Sequence, residues 1–199
     1  TTKNDTSDSN QKTPTPRAEQ QVIAVCGSPG AGKTTVARAI ASRLGVLLLT
    51  RDEITTGLRQ SAAVAMQGRT PYLHSTQVRR PSLHHSYRDQ AEAIMIDLGQ
   101  RLAAGGVRFV LETSLVPKEL AVTVGLWVHV VARPEVIDAR LQARPDRRLA
   151  DQLRRGEMPA TIFAPPAGVD AVEIDTSDTA NPDLEPVMTR LGPGPRRTS

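Results

Sequence analysis

Cysteine is almost missing from this chain. Of 199 residues only Cys26 is one, so no internal disulfide can form and a reducing setting, the cytoplasm, is expected. Its position inside an apolar run reads as a small buried residue. Aromatic residues make up only 3%, which leaves the core to Val, Leu, Ile and Ala and leaves few rings on which bases could stack. No apolar run approaches the roughly 18 residues that mark a membrane span. The N-terminal stretch has no apolar segment of the kind a secretory leader carries. Acidic charge is in slight deficit: 25 Lys and Arg stand against 21 Asp and Glu, a formal net charge of +4. That balance suits an anionic ligand, without choosing between a small molecule and nucleic acid.

Residues 1–18 hold Thr, Ser, Asn, Asp, Lys and Pro and no large apolar side chain, and are expected to form a disordered tail. Residues 192–199, rich in Gly and Pro, read as a second tail. The length between them, 19–191, suits one domain with a sizeable core. There, strand and helix patterns alternate. Gln21–Cys26 reads as a strand and Thr35–Leu44 as a helix with Val36, Ile40 and Leu44 on one stripe. Val46–Leu49 is a short apolar strand, and a helix from about Glu53 fades by Gly68. Residues 67–81 read as a long loop. The helix expected over Leu83–Ala104 carries Tyr87, Ala91, Ile94, Met95, Leu98 and Leu102 on one face. Val107–Leu111, Leu126–Val131 and Ala171–Ile174 complete the strands, with helices over Pro134–Gln142 and Pro182–Leu191. This alternation predicts an α/β fold: a five-stranded parallel sheet with helices on both faces. Ligands then bind beyond the carboxyl ends of the strands.

The first strand runs into Gly27-Ser28-Pro29-Gly30-Ala31-Gly32-Lys33-Thr34, which fits G-x-x-x-x-G-K-[ST] at every fixed position. A glycine loop between strand and helix makes an anion site from backbone N–H groups and the positive end of the helix dipole. Lys33 can reach the β- and γ-phosphates, the hydroxyls of Thr34 and Thr35 lie at the helix start, and Thr34 can ligate Mg²⁺. ATP and Mg²⁺ are therefore the expected ligands.

The ends of the other strands supply the remaining candidates. Arg51 and Asp52 follow the second strand. Asp52 is either a general base for an attacking hydroxyl or the N-cap of the next helix. Arg51 is either a substrate contact or a surface charge. Glu112, after the third strand, can hold the metal with Thr34, while Thr113 and Ser114 contact substrate or cap a turn. Beyond the fourth strand, Arg133, Arg140, Arg144, Arg147, Arg148, Arg154 and Arg155 outnumber the acids among them. They form either a basic lid that stabilises transferring charge, or a solvated helix with pairs such as Asp151–Arg155. Asp175-Thr176-Ser177, after the fifth strand, either passes the nucleotide base or makes a turn. His74, His84 and His85 show no metal-ligand spacing, and Arg59, Arg69, Arg79, Arg80 and Arg88 either contact an anionic acceptor or simply keep the surface solvated.

These positions together resemble the small P-loop kinases related to polynucleotide kinase, zeta toxin and chloramphenicol phosphotransferase, over about residues 21–191. The resemblance implies a P-loop NTPase fold of the nucleoside- and shikimate-kinase type with an Arg-rich lid. It implies Asp52 as general base, Lys33 with lid arginines Arg140 and Arg144 as charge stabilisers, and Thr176 near the base. Glu112 departs from it, since the related kinases usually carry Asp there. The segment from Gly57 to Tyr87 matches no one branch and is expected to shape the acceptor pocket, with Arg51, Asp52 and Arg59 as substrate candidates. The expected activity is transfer of the γ-phosphoryl group of ATP to a hydroxyl of a small molecule such as an antibiotic, nucleoside or sugar. A polynucleotide 5′-hydroxyl ranks below it, because only Tyr72 and Tyr87 stand near the pocket. A nucleotide switch ranks lower still, for want of an N-K-x-D motif. Oligomeric state is not readable, and no membrane partner is expected.

Overall fold

A computed structural model describes residues 22–67, 81–144, 151–152, 155–157, 160–178 and 181–192. The expected tails lie outside these residues apart from Gly192, as do the loop from Gly68 to Arg80 with His74, and Arg147, Arg148 and Arg154 of the lid.

Five strands form one parallel sheet in the order β2-β3-β1-β4-β5. They are β1 Val22–Gly27, β2 Leu47–Thr50, β3 Phe109–Glu112, β4 Val124–Val131 and β5 Ala171–Asp175. β1 is central and all six of its residues are buried, as a strand covered on both faces must be. The chain leaves β1 for β2, returns to β3 beside β1, then crosses to β4 on β1's other flank. β1 is thus the switch point, where the carboxyl-end crevice of such sheets opens.

The side-chain alternation of β1 sends its residues to two cores. Ile23 and Val25 pack with Val36, Ala37 and Ile40 of helix α1 (Lys33–Leu44) and with Val187 and Leu191 of helix α6 (Glu185–Leu191). Val22 joins Phe109, Leu111, Met95 and Leu120 on the opposite face. There lie helix α3 (Pro81–Ala104) and the short helix α4 (Lys118–Ala121). Each fully buried aliphatic side chain contributes about 1.5–3 kcal/mol; the α1 layer is wholly aliphatic, while Phe109 and Trp127 add to the opposite one. Cys26 sits at 2% exposure between Ala24 and Trp127. Burial pushes its thiol up to about 11, which leaves it an unreactive packing group.

Three expectations shift. Helix α2 (Arg51–Gln67) starts directly after β2, because the hydroxyl of Thr50 accepts a hydrogen bond from the Glu53 N–H at 3.2 Å; the strand's last residue is also the helix cap. On α3, Ala91 and Met95 are fully buried while Ile94 and Leu98 are 42% and 38% exposed. The contact line runs instead through Gly99, where an added Cβ would meet the Leu120 side chain at 2.9 Å. α4 and a 3-10 turn over Ala160–Phe163 had no periodic signal to announce them. Helix α5 (Pro134–Gln142) has the expected bounds, with Pro134 in its first turn.

Candidate active site

β1 enters the P-loop through Gly27 at φ 142°, and Gly30 and Gly32 follow at φ 87° and 92°. A Cβ on Gly27 would stand 2.2 Å from the Val130 carbonyl oxygen, so the close approach of β4 admits no side chain there. α1 then begins at Lys33 with no side-chain cap among the described residues and no acid in its first turn. Its free N–H groups and dipole are left for an anion. Lys33 is 7% exposed and donates to the Ser28 carbonyl at 3.0 Å. Burial lowers its ammonium to about 8, while Glu112 and Asp52 pull it back up and Arg144 pushes it down. These four charges therefore share one neighbourhood.

A cavity of about 310 Å³ opens in front of the loop. Thr34, Thr50, Asp52 and Glu112 line it. β2 and β3 explain this convergence: Thr50 and Glu112 are register partners, and Glu112 is also level with Val25 of β1. Glu112 is 6% exposed. Burial raises its carboxyl above the usual range, Lys33 opposing and Asp52 reinforcing the shift. A buried carboxylate this poorly compensated favours a cation beside it. Asp52 is exposed within the first turn of α2. The capping role falls to Thr50, which leaves the Asp52 carboxylate free of that task.

Arg51, next in sequence, points elsewhere. Its side chain is 11% exposed and stands 3.9 Å from Glu92 of α3. Its buried Nε has no hydrogen-bond partner among the described residues. Burial and the nearby Arg88 lower the guanidinium's pKa. Adjacent helix residues do not share a face, and Arg51, offered by the sequence as a substrate contact or a surface charge, is half-buried and is not among the residues lining the cavity. The Arg59 side chain lies outside the described residues.

Arg140 and Thr176 were expected at a lid and a nucleotide base. The structure places both beside and beneath the P-loop. Arg140, in the last turn of α5, donates to the Thr176 hydroxyl at 2.9 Å, the Thr176 carbonyl at 2.6 Å and the Gly30 carbonyl at 3.3 Å. Thr176 is 3% exposed and its hydroxyl donates to the Ala31 carbonyl at 2.6 Å. The pair fastens the end of β5 and α5 to the loop, with Arg140 in the last turn of α5. Arg144, two residues beyond that helix, is exposed and acts on Lys33 through charge. The remaining strand ends make turns. Asp175 accepts from the Ser177 N–H at 2.8 Å and its hydroxyl at 2.6 Å, and the Thr113 hydroxyl donates to the Leu115 carbonyl at 2.9 Å. The Arg155 side chain pairs with Glu157 at 2.5 Å, and its main-chain N–H donates to the Asp151 carbonyl at 3.0 Å.

The cavity's other wall is built of residues that the sequence did not single out, although Gly57 and Gln60 fall in the segment expected to shape the acceptor pocket. Glu53, Thr56, Gly57 and Gln60 of α2 and Arg38 of α1 complete its lining. The signal was present as helical spacing: Asp52, Thr56 and Gln60 stand at i, i+4 and i+8, and Arg38 one turn beyond Thr34.

The family model for an AAA domain matches residues 22–160. No curated protein matches the sequence. Among solved structures, a candidate kinase from Chloroflexus aurantiacus J-10-fl is similar at 18% identity and a TM-score of 0.52, covering 80% of this chain and 87% of that one. A sugar kinase from Janibacter sp. HTCC2649 has 20% identity and a TM-score of 0.48, over 78% and 85% of the two chains. A gluconokinase from Sinorhizobium meliloti 1021 has 18% identity and a TM-score of 0.47, over 82% and 86%. The family match spans the sheet from β1 through β4 and takes in the P-loop, α2 and α5, and on that ground the chain belongs to the AAA domain family, in its P-loop, kinase-like form.

Proposed function

We propose that the protein is an ATP-dependent phosphotransferase that moves the γ-phosphoryl group to a hydroxyl of a small molecule. The observation that carries this reading is the convergence of Thr34, Asp52 and Glu112 on one cavity, with Lys33 buried beside them. Backbone amides of the loop from Gly27 to Thr35 cradle the phosphates, except Pro29, which has no N–H, and Ala31 and Thr35, whose N–H groups bond the Ser28 and Gly32 carbonyls. Lys33 exchanges the Ser28 carbonyl for phosphate oxygens, regaining the charge stabilisation that burial costs it. Arg140 and Thr176 hold the loop in that shape, and Arg144 adds positive charge from the exposed side. Asp52 accepts the proton as the acceptor oxygen attacks the γ-phosphorus and the bond to the β-phosphate oxygen breaks, releasing ADP.

The donor set also fits magnesium. Thr34 and Glu112 offer hard oxygens, and such an ion needs only one or two protein ligands besides phosphates and water. When bound it would neutralise charge on the transferring group.

Two measurements test the reading. Saturating Mg·ATP at 100 times its dissociation constant stabilises a binding protein by about 2.7 kcal/mol, so the melting temperature rises; Lys33→Ala abolishes that rise. Labelled γ-phosphate then appears on a hydroxyl compound. A Lys33→Ala variant that is stabilised as strongly as the native chain ends the proposal.

A further inference from the structure

The acceptor end of the cavity has a definite hydrogen-bonding character. Asp52 and Glu53 place two carboxylates there and Glu112 adds a third toward the P-loop, against the single guanidinium of Arg38 among the described lining residues. That guanidinium is already paired with Glu53 at 2.9 Å. The Thr56 hydroxyl donates to the Asp52 main-chain carbonyl at 2.8 Å, so its lone pairs are what it offers to a ligand. Gln60 is exposed and brings an amide able to both donate and accept. Next to it, Gly57 leaves open space where a side chain would stand. Of the cations just outside the lining, Lys33 is engaged with the Ser28 carbonyl and Arg51 stands toward Glu92. Among the described residues no aromatic or large aliphatic side chain lines the cavity.

Each of these facts excludes something. A wall of acceptors needs a ligand rich in donors, which means hydroxyl or ammonium groups. An acceptor bearing a carboxylate or phosphate would bring like charge to Asp52 and Glu53, and among the described residues the only cation lining the cavity is Arg38, already paired with Glu53; like-charge contacts of this kind are strongly disfavoured. A nucleobase or other flat ring would find nothing to stack on. A volume of about 310 Å³ lies at the small end of ligand sites, which start at roughly 300 Å³.

We infer that the acceptor is a polyhydroxylated compound of about monosaccharide size that carries no negative charge, and that an amino group on it strengthens binding. This rests on the phosphotransferase reading above. Its free hydroxyls donate to Glu53 and Thr56, Gln60 bonds the ring's far side, and one hydroxyl lies against Asp52 for transfer.

The test uses the full chain with Mg·ATP and four acceptor sets in parallel: neutral monosaccharides and cyclitols, amino sugars, sugar acids, and nucleosides with 5′-hydroxyl oligonucleotides. ADP release and product mass give kcat/KM for each. Neutral polyols are phosphorylated, amino sugars about tenfold better, and sugar acids and nucleosides roughly tenfold or more below the neutral set. A sugar acid, nucleoside or oligonucleotide as the best acceptor overturns the inference and leaves the kinase reading intact. So does a chain whose melting temperature rises with Mg·ATP yet which modifies no neutral or amino polyol. A chain that Mg·ATP does not stabilise overturns the phosphotransferase reading itself, and this inference with it. On the accepted polyol, Gln60→Ala raises the acceptor KM while the ATP KM stays put, and Glu53→Gln narrows the gap between sugar acids and neutral sugars. An acceptor KM that neither variant moves also overturns the assignment.

Discussion

At the P-loop end of the cavity, three glycines hold left-handed or otherwise restricted backbone angles, and Lys33, Arg140 and Thr176 each donate a hydrogen bond to one of the loop's own carbonyls. At the α2 end, the Asp52, Glu53, Thr56 and Gln60 side chains stand on one regular helix and are exposed. The first end is made of backbone shape, the second of side-chain chemistry. A phosphate is the same on every triphosphate, so amides at a rigid loop suffice to read it. An acceptor is read by its particular donors and acceptors, and a helix surface can exchange those without altering the fold.

Substitutions should therefore fail differently at the two ends. The largest effect is expected at the α2 end, on chemistry alone. Asp52→Asn should lower kcat on the order of 10²–10⁴-fold, as loss of a general base does, with ATP stabilisation unchanged because Thr50 still caps the helix. Full transfer activity in that variant would remove Asp52 from the mechanism. At the loop end, Gly27→Ala should cost about 2–5 kcal/mol in urea unfolding, from backbone strain plus the clash with the Val130 carbonyl. A stable Gly27→Ala chain would show that β4 can retreat.

Smaller again is Arg140→Met, which leaves the Gly30 and Thr176 carbonyls without their donor. A loss of about 1–3 kcal/mol and weaker ATP binding are expected together. Unchanged stability with a collapsed kcat would instead place Arg140 on the transferring phosphoryl group and blur the two ends. The smallest effect belongs to Arg38→Ala. Its pair with Glu53 has side-chain exposures of 64% and 58%, and exposed pairs contribute about 0–1 kcal/mol. Thermal stability should barely move, and any change should appear in the acceptor KM.

Much of this was readable in the residues. The run Val22–Cys26, the glycine loop and the Val36–Ile40 stripe lie where local rules put them, because strand, loop and helix there answer to a contiguous pattern. Helix α5 was legible from Pro134 onward for the same reason. The α3 face was half legible: Ala91 and Met95 were expected inside and are, but Ile94 and Leu98 share the period and lie outside. Periodicity gives a stripe's width without its centre, and the centre was set by Gly99 meeting Leu120 from α4. The wall of Thr56 and Gln60 carried a readable spacing that had no meaning until α2 was known to start at Arg51.

By itself, the sequence determined the fold class, the anion-binding loop and the presence of acids after β2 and β3, since each depends on neighbours within a few residues. Only the tertiary structure decided the strand order that brings Glu112 beside Thr50. It alone turned Arg51 to α3 and Asp52 to the cavity, and set Arg140 against the carbonyls of Gly30 and Thr176. Those outcomes hang on contacts between residues such as Gly30 and Arg140, 110 positions apart, and no local pattern encodes which distant carbonyl a buried guanidinium will find.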